Sequence, residues 1–319
     1  MNGASNEQMT AWAISDGAAG NALQAQVLAG ALCGAAREVR IGIDAPWRWL
    51  APRLVAGSQR AIHGEDFGPP WPTLAVGCGR LAALATRALR RWSGARCLCV
   101  QILDPRIDPR HYDVVVAPRH DGLAGDNVIT TTGSLNAIDD AWLAAARVRF
   151  SAIGALPAPR VAVLVGAPTR SQALDRRYFD ALLAELGRLH ARDGGSFLVT
   201  TSRRTPAALA GHLRQAFAAW PGLYWSNDAD GDNPYAGLLA WADRVVVTPD
   251  SANMLSEACA TGVPVHSIVD RPVRGRLAAL HAELSALGHL VAPGEATRAA
   301  APLRELPRVV AAVRQRWQA

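Results

Sequence analysis

Short apolar runs alternate with amphipathic helical stretches along the whole of this 319-residue chain. A run of four to six apolar residues suits a strand buried on both faces, and such strands belong to parallel sheets whose connections are helices. The first clear run is Ala11 to Ser15, and the helix predicted after it covers Asn21 to Leu32. The alternation therefore predicts an α/β fold with parallel sheets.

The alternation falls into two series, separated by a small, proline-containing segment from Gly154 to Arg160. We therefore expect two doubly wound Rossmann-like domains that face a cleft, one covering residues 1–156 and the other residues 157–319. The tail from Leu303 to Trp317 is predicted to be a helix that crosses back to the first domain. In such folds ligands bind beyond the carboxyl ends of the strands, so the loops that follow strands are the places to search.

Composition narrows the class of protein. Half of the residues are hydrophobic and 19% are charged, no apolar run approaches the ~20 residues that span a bilayer, and no signal-like segment opens the chain. We therefore expect a cytoplasmic protein. The net charge is +6 and all 33 basic residues are arginine, but no basic run is interleaved with aromatic residues, which argues against a nucleic-acid partner. The spacing of the five cysteines fits no metal site, and no cofactor is expected.

The most informative segment runs from Thr248 to Val265. It predicts a buried strand, a break at Pro249 and Asp250, and a helix that Asp250 or Ser251 could cap. The start of that helix presents backbone N–H groups and a positive dipole end, which suit an anion. Glu257 lies further along the same helix, where its carboxylate could reach hydroxyl groups of the ligand. Phosphate and sugar hydroxyls together describe a nucleotide pocket.

Other loops after strands carry polar or glycine residues, and each could instead be only a turn or a cap. In the first half, a glycine-containing loop runs from Ser15 to Asn21, and His120 with Asp121 offers a candidate base. In the second half, two loops carry hydroxyl groups and arginines that suit a diphosphate. The candidate ligand-binding residues are Gly17, Gly20, Asn21, Thr169, Arg170, Ser202, Arg203, Arg204, Asn233, Tyr235, Asp250, Ser251, Asn253 and Glu257, and the candidate catalytic residues are Asp16, His120 and Asp121.

Several of these motifs together resemble the elongated-mitochondria family, which contains the plant mitochondrial-fission protein and many bacterial relatives. They are Ser15-Asp-Gly with Gly20-Asn21, the segment ending at Arg106, residues 117–122, residues 199–206, Asn233-Pro-Tyr235, and Asp250-Ser with Ser256-Glu-Ala-Cys-Ala-Thr-Gly262. The resemblance runs over nearly the whole chain and implies a bacterial member of the family.

The second half is also similar to GT-B glycosyltransferases, especially the peptidoglycan N-acetylglucosaminyltransferase. The order of Trp241 to Val247, Ser251, Ser256-Glu257-Ala258 and Gly262-Val-Pro264 follows that enzyme. The resemblance implies that Ser251 to Asn253 hold a UDP diphosphate and that Glu257 binds the ribose. The enzyme's first loop ends in a histidine where this chain has Asn21. Because asparagine cannot act as a base, Asp16 or His120 would take that role.

These observations favour an inverting, metal-independent glycosyltransferase that uses a nucleotide-diphosphate sugar and an acceptor such as an envelope glycolipid. Two alternatives stay open. One is a noncatalytic interaction protein on the same scaffold, since the plant relative recruits a dynamin-like protein. The other is a nucleotide-sugar epimerase or hydrolase. Residues 47–55 are predicted to be helical. The clustering of Trp47, Arg48, Trp49 and Arg53 there suits either a packed amphipathic helix or peripheral contact with the inner membrane.

Overall fold

The computed structural model describes residues 10–65, 67–169, 172–291 and 300–318. The chain forms two compact units. The first combines the residues up to Asn136 with those from Glu305 onward, and the second contains Ala137–Arg304. Each unit is built around one parallel six-stranded sheet, so the predicted α/β fold with two Rossmann-like halves is confirmed.

The first unit begins with strand β1, which lies inside the sheet. In chain order its elements are β1 (Ala11–Ser15), α1 (Ala19–Cys33), β2 (Arg37–Arg40), β3 (Gly42–Ile43), α2 (Trp47–Leu50), α3 (Ser58–Ala61), β4 (Ile62–His63), β5 (Leu74–Cys78), α4 (Arg80–Trp92), β6 (Leu98–Ile102), β7 (Val114–Pro118) and β8 (Val128–Thr131). The sheet order is β2-β1-β5-β6-β7-β8, and β3 and β4 form a separate antiparallel pair.

The inner strands β1, β5, β6 and β7 are largely apolar on both faces because helices cover both, whereas the edge strand β2 is charged and mostly exposed. From β1, Ala11 and Ala13 point to the face where Leu28 of α1 packs. Trp12 and Ile14 point to the opposite face, where Leu84 of α4 packs. This two-sided burial is what a near-continuous apolar strand requires.

The second unit repeats the plan. Its elements in chain order are α5 (Asp140–Arg149), β9 (Arg160–Val165), α6 (Arg176–Asp193), β10 (Ser196–Thr201), α7 (Ala207–Phe217), β11 (Gly222–Trp225), α8 (Tyr235–Trp241), β12 (Arg244–Val247), α9 (Ala252–Ala260), β13 (Val265–His266), α10 (Gly275–Ala286) and β14 (Leu290–Val291). The sheet order is β11-β10-β9-β12-β13-β14, and every described pair is parallel. The strand order reverses beside β9, which places a ligand-binding crevice at the carboxyl ends of β9, β10 and β12.

The last helix, α11 (Leu306–Gln318), belongs to the first unit. Its Val309 and Val313 are fully buried with Leu28 and Ala29 of α1. The Glu305 carboxylate accepts hydrogen bonds from the Thr132 N–H at 2.8 Å and from the Gly133 N–H at 3.1 Å. The expected return of the terminal helix to the first domain is therefore observed.

The division between the units falls after Asn136, whereas the sequence pattern suggested residue 156. Helix α5 and the turn that follows it pack in the second unit, where Leu143 and Ile153 join the core around Leu238. The Arg147 Nε–H also donates to the Ala240 carbonyl at 2.8 Å. The proline-containing segment before β9 is thus part of the second unit rather than a linker.

A second difference concerns residues 47–55, where the sequence suggested a helix. Only Trp47–Leu50 is helical. Pro52 has no N–H to continue the helical ladder, so the chain leaves the helix there and runs as an irregular loop. Among the helices of the described residues, none combines the length and apolar character that a membrane span needs.

Candidate functional site

Three loops of the second unit interlock where β9, β10 and β12 end. The Thr248 hydroxyl accepts the Gly166 N–H at 2.8 Å and donates to the Asp250 carboxylate at 2.6 Å. The other Asp250 oxygen accepts the Ala167 N–H at 3.0 Å, and the Thr205 hydroxyl donates to the Gly166 carbonyl at 2.7 Å. These four hydrogen bonds fix the loop positions relative to one another before any ligand arrives.

Asp250 supports this loop network. A Cβ at Gly166 would overlap the Asp250 carboxylate, so only glycine leaves room for it. Burial raises the pKa of Asp250, while its hydrogen bonds from Thr248 and Ala167 act in the opposite direction. Since its oxygens are engaged by the neighbouring loop, the geometry suits Asp250 to positioning the site rather than to touching an anion.

Helix α9 begins directly after this turn. The Ser251 hydroxyl accepts the Met254 N–H at 3.3 Å and caps the helix, as the sequence suggested. The first turn, which includes Asn253, directs its backbone N–H groups and the positive end of the helix dipole toward the loop cluster. Behind the turn, Nε2 of buried His281 lies 3.2 Å from the Pro249 carbonyl. This arrangement can hold an anion such as a diphosphate.

Glu257 is a buried acid on the same helix. Glu257 is only 9% exposed. Desolvation raises its pKa from 4.5 to about 6, although a hydrogen bond from Tyr235 acts in the opposite direction. The Tyr235 hydroxyl donates to the Glu257 carboxylate. The Asn233 side chain in turn accepts the Tyr235 N–H at 3.0 Å, so Asn233 fixes the start of α8. The structure thus brings Asn233, Tyr235 and Glu257 together.

The arginines predicted to bind phosphate lie in the turn after β10. Arg203 and Arg204 are exposed, and the Ser202 hydroxyl accepts the Arg204 N–H at 3.2 Å. The charge of Arg204 is close enough to Asp250 to work against the rise in its pKa. In the loop after β9, Thr169 accepts the Gln172 N–H at 3.0 Å, and Arg170 lies outside the described residues.

A small cavity of about 260 Å³ lies beside the arginine turn, and the sequence pattern did not single it out. Trp225 and the polar side chains of Ser226, Asn227 and Asp228 form one wall. The loop after β11 is held by Asp230, whose carboxylate accepts the Arg214 guanidinium at 2.6 Å. A cluster of Ser, Asn and Asp directly after a strand is the signal that could have revealed this wall.

In the first unit, two loops meet through Asn21. Its side-chain amide donates to the Asp16 carboxylate at 3.2 Å. A Cβ at Gly79 would overlap the same amide, so the loop between β5 and α4 lies against the loop between β1 and α1. Gly17 has a φ of 81°, a left-handed conformation that favours glycine, and Gly20 lies in the first turn of α1.

A large groove adjoins Asp16. Its volume is about 1060 Å³, and its lining includes Arg40, Asp44, Arg48 and His63. The guanidinium of Arg40 also lies over Gly17, where a Cβ would have to displace it. Asp16 is therefore a carboxylate on the wall of a polar groove, a position from which it can accept a proton from a bound hydroxyl group.

His120 and Asp121 lie elsewhere along the same sheet edge. They form the 3-10 turn Arg119–Asp121 after β7. Two strands, β5 and β6, separate β7 from β1, and three strand spacings amount to roughly 14 Å. The structure therefore does not bring the His120 pair to Asp16, and only one of these groups can serve a given reacting atom.

The paired Rossmann-like units and the loops at their switch points define a GT-B-like protein. MurG from Acinetobacter baumannii has the same fold, with a TM-score of 0.54 and 12% identity over 96% of this chain and 99% of that one. So does the UDP-GlcNAc 2-epimerase of Methanocaldococcus jannaschii, with a TM-score of 0.55 and 12% identity over 96% and 100% of the two chains.

The chain belongs to the mitochondrial fission ELM1 family, whose sequence profile matches residues 19–317. It is 32% identical over 233 residues to the mitochondrial fission protein ELM1 of Arabidopsis thaliana, covering 64% of this chain and 53% of that protein. The chain thus spans about half the length of this plant relative. An uncharacterized protein of Rickettsia prowazekii is 23% identical over 296 residues, covering 81% of this chain and 82% of that protein.

Proposed function

We propose that this protein is an inverting, metal-independent glycosyltransferase whose second unit binds a nucleotide-diphosphate sugar. One observation carries the proposal: the buried Glu257 carboxylate lies on the same helix whose Ser251-capped start faces the interlocked loops. Phosphates would bind the helix start and ribose hydroxyls would bind Glu257. A structure of the M. jannaschii epimerase, which shares the fold, contains UDP-GlcNAc and UDP, and this supports a UDP-sugar as the ligand class.

The leaving diphosphate would be stabilised by arginines. Arg203 and Arg204 are exposed in the turn after β10, and Arg170 follows β9 in the sequence. Guanidinium groups bind phosphate oxygens in a bidentate manner and need no metal ion to balance the charge. The backbone N–H groups at the start of α9, including that of Asn253, would share this role.

The first unit would bind the acceptor and supply the base. Asp16 would take the proton from an acceptor hydroxyl group in the groove beside it, the acceptor oxygen would form the new bond to the anomeric carbon, and the bond to the nucleotide diphosphate would break. Inversion follows from a single displacement of this kind. The acceptor class that we propose is a lipid-linked sugar, which would make the protein peripheral at the cytoplasmic face of the inner membrane.

Release of nucleotide diphosphate from a UDP-sugar, measured with and without lipid extract from an envelope, tests this proposal. The transferase requires release that depends on the lipid and that falls at least a hundredfold in Asp16→Asn, a loss typical of removing a general base. Asp121→Asn is the matched control and should keep its rate. Release that depends on neither the lipid nor Asp16 would contradict the proposal.

A sugar-nucleotide epimerase or hydrolase is the second candidate. The M. jannaschii epimerase matches the fold as well as MurG does, and Asn21 stands where the transferase resemblance places a histidine. Such an enzyme would convert the sugar nucleotide with no acceptor present, so the assay without lipid separates the two candidates.

A noncatalytic interaction protein is the third candidate, and the family's mitochondrial-fission member favours it. This candidate predicts that the Glu257→Gln and Arg204→Gln variants each fully complement a deletion strain. Loss of complementation by both variants, with normal protein levels, would exclude a role that makes no use of this pocket.

A further inference from the structure

Exposed apolar side chains of the first unit concentrate on one loop. We call residues 47–55 the tryptophan loop. Trp49 is 74% exposed, Leu50 43% and Val55 39%. In the described part of the first unit, Leu23 is the one other large hydrophobic residue exposed to this degree. Clustered apolar side chains on a surface mark an interaction site more often than isolated ones do.

Hydrogen bonds hold the tryptophan loop in place. The Trp47 indole N–H donates to the Ala56 carbonyl at 2.8 Å, so this tryptophan faces the protein. Arg80 of α4 donates to the carbonyls of Arg48 at 2.9 Å and Ala51 at 3.0 Å. Because the backbone is fixed from within, the outward direction of Trp49 and Leu50 is a built feature of the loop.

Helix α4, which holds the tryptophan loop, also places positive charge along the edge of that loop. Arg80, Arg87 and Arg91 are spaced by seven and four residues, which places them in one row along α4. Arg87 donates to the Pro52 carbonyl at 3.4 Å, and Arg91 is exposed beyond it. The row therefore runs beside the tryptophan loop and ends in open solvent.

A cavity of about 420 Å³ lies at the end of this row, between Leu54, Arg87, Arg91 and His111. Arg90 also lines it but pairs with Asp113 at 2.7 Å. Across the described residues, no carboxylate pairs with Arg87 or Arg91. The Arg87 Nη2 lies 3.2 Å from His111 Nε2, and burial together with the Arg87 charge lowers the pKa of His111. Two arginine side chains that pair with no described carboxylate therefore line this cavity together with Leu54 of the tryptophan loop.

We propose that the tryptophan loop and the Arg87–Arg91 cavity form one docking surface for an anionic lipid bilayer. Trp49 and Leu50 enter the headgroup region, where an indole places its apolar ring and its N–H in a mixed environment. Arg87 and Arg91 bind the lipid phosphates, for which guanidinium is the preferred partner. The surface lies wholly on the first unit and does not depend on the nucleotide site of the second.

Co-sedimentation of the full chain with vesicles tests the proposal. Vesicles of phosphatidylglycerol in phosphatidylcholine should bind the protein at least tenfold more tightly than phosphatidylcholine alone. Arg91→Gln should weaken binding about fivefold, the value for one arginine at an anionic surface, and Trp49→Ser about tenfold. The matched controls are Val148→Ser, at a residue 80% exposed on the second unit, and Arg176→Gln on α6, and both should bind like wild type.

Both test residues are exposed side chains, so the variants should fold, and thermal unfolding of each checks that they do. Equal binding to the two kinds of vesicle would overturn the proposal, as would variants that bind like wild type. A third arm adds millimolar inorganic phosphate to the anionic vesicles. Undiminished binding supports a bilayer as the partner, whereas full release at constant ionic strength would show that the cavity selects free phosphate instead.

Discussion

The Tyr235 hydroxyl donates a hydrogen bond to the buried carboxylate of Glu257. Burial raises the pKa of both groups, and the Glu257 charge raises that of Tyr235 further. A carboxylate removed from water needs such a donor, because unpaired buried charge is costly. In the site that we propose, ribose hydroxyls would join or replace this bond, so Tyr235 keeps Glu257 oriented while the pocket is empty.

Removing that donor should destabilise the second unit. We expect Tyr235→Phe to lower the free energy of unfolding near neutral pH by about 1–3 kcal/mol, since the Glu257 carboxylate loses its partner. Tyr224→Phe is a matched control, because the Tyr224 hydroxyl donates to the uncharged Ala210 carbonyl at 2.7 Å. Urea unfolding measures both, and a Tyr235 variant that loses less than the control would contradict the role assigned to the pair.

Glu257 should also make stability depend on pH. Its pKa rises from 4.5 to about 6 in the folded state, so the folded state binds this proton more tightly than the unfolded state. The resulting stability is present in full below about pH 4.5 and is lost as pH rises through about 6. As the pH rises between these limits, we expect the free energy of unfolding of Glu257→Gln to increase by about 2 kcal/mol relative to that of wild type. Parallel unfolding profiles of the two proteins across this range would refute the expectation.

Gly166 should tolerate no side chain. Gly166→Ala places a methyl group against the Asp250 carboxylate, and overpacking of this kind costs about 1–3 kcal/mol. Gly211→Ala is the control, because a Cβ at this exposed helical position meets nothing within 4 Å. It should stabilise the protein by about 0.5–1 kcal/mol. Thermal unfolding of both variants is the measurement, and equal effects would show that the loops are not interlocked as described.

Helix α11 should be essential to the first unit. Val313 is fully buried against α1, so Val313→Ala should cost about 2 kcal/mol through lost burial and a cavity. Val148→Ala, at an exposed site of α5, should change the free energy of unfolding by less than about 0.5 kcal/mol. A harmless Val313→Ala would mean that the helix is only loosely attached.

The sequence pattern predicted the two Rossmann-like halves because buried parallel strands leave a strong apolar signal. It also predicted the capped helix at Ser251 and the return of the terminal helix. The division after Asn136 was missed, because no local sequence pattern reveals that α5 packs against α8. The prediction of a helix over residues 47–55 was wrong beyond Leu50, because Pro52 has no N–H to continue the helix and this outweighs the apolar spacing.

The site was predictable to the level of loops. Strand order brings the loops after β9, β10 and β12 together, and each had been singled out by its polar residues. The inward turn of Asp250 and the bond from Asn21 to Asp16 depend on side-chain contacts between distant segments, which no local pattern contains. The same holds for the wall formed by Trp225 and Asn227, where the contact with the arginine turn arises only in the folded sheet.

Thermal unfolding of the protein with each member of a panel of nucleotides and nucleotide sugars, alongside Glu257→Ala and Glu185→Ala, tests whether helix α9 carries a nucleotide-sugar site. A ligand at a hundred times its Kd stabilises a folded protein by about 2.7 kcal/mol. We predict a clear upward shift in Tm with at least one nucleotide-diphosphate sugar, kept in Glu185→Ala and lost in Glu257→Ala. No shift with any member of the panel, or a shift that Glu257→Ala retains, would contradict a nucleotide-sugar site on helix α9.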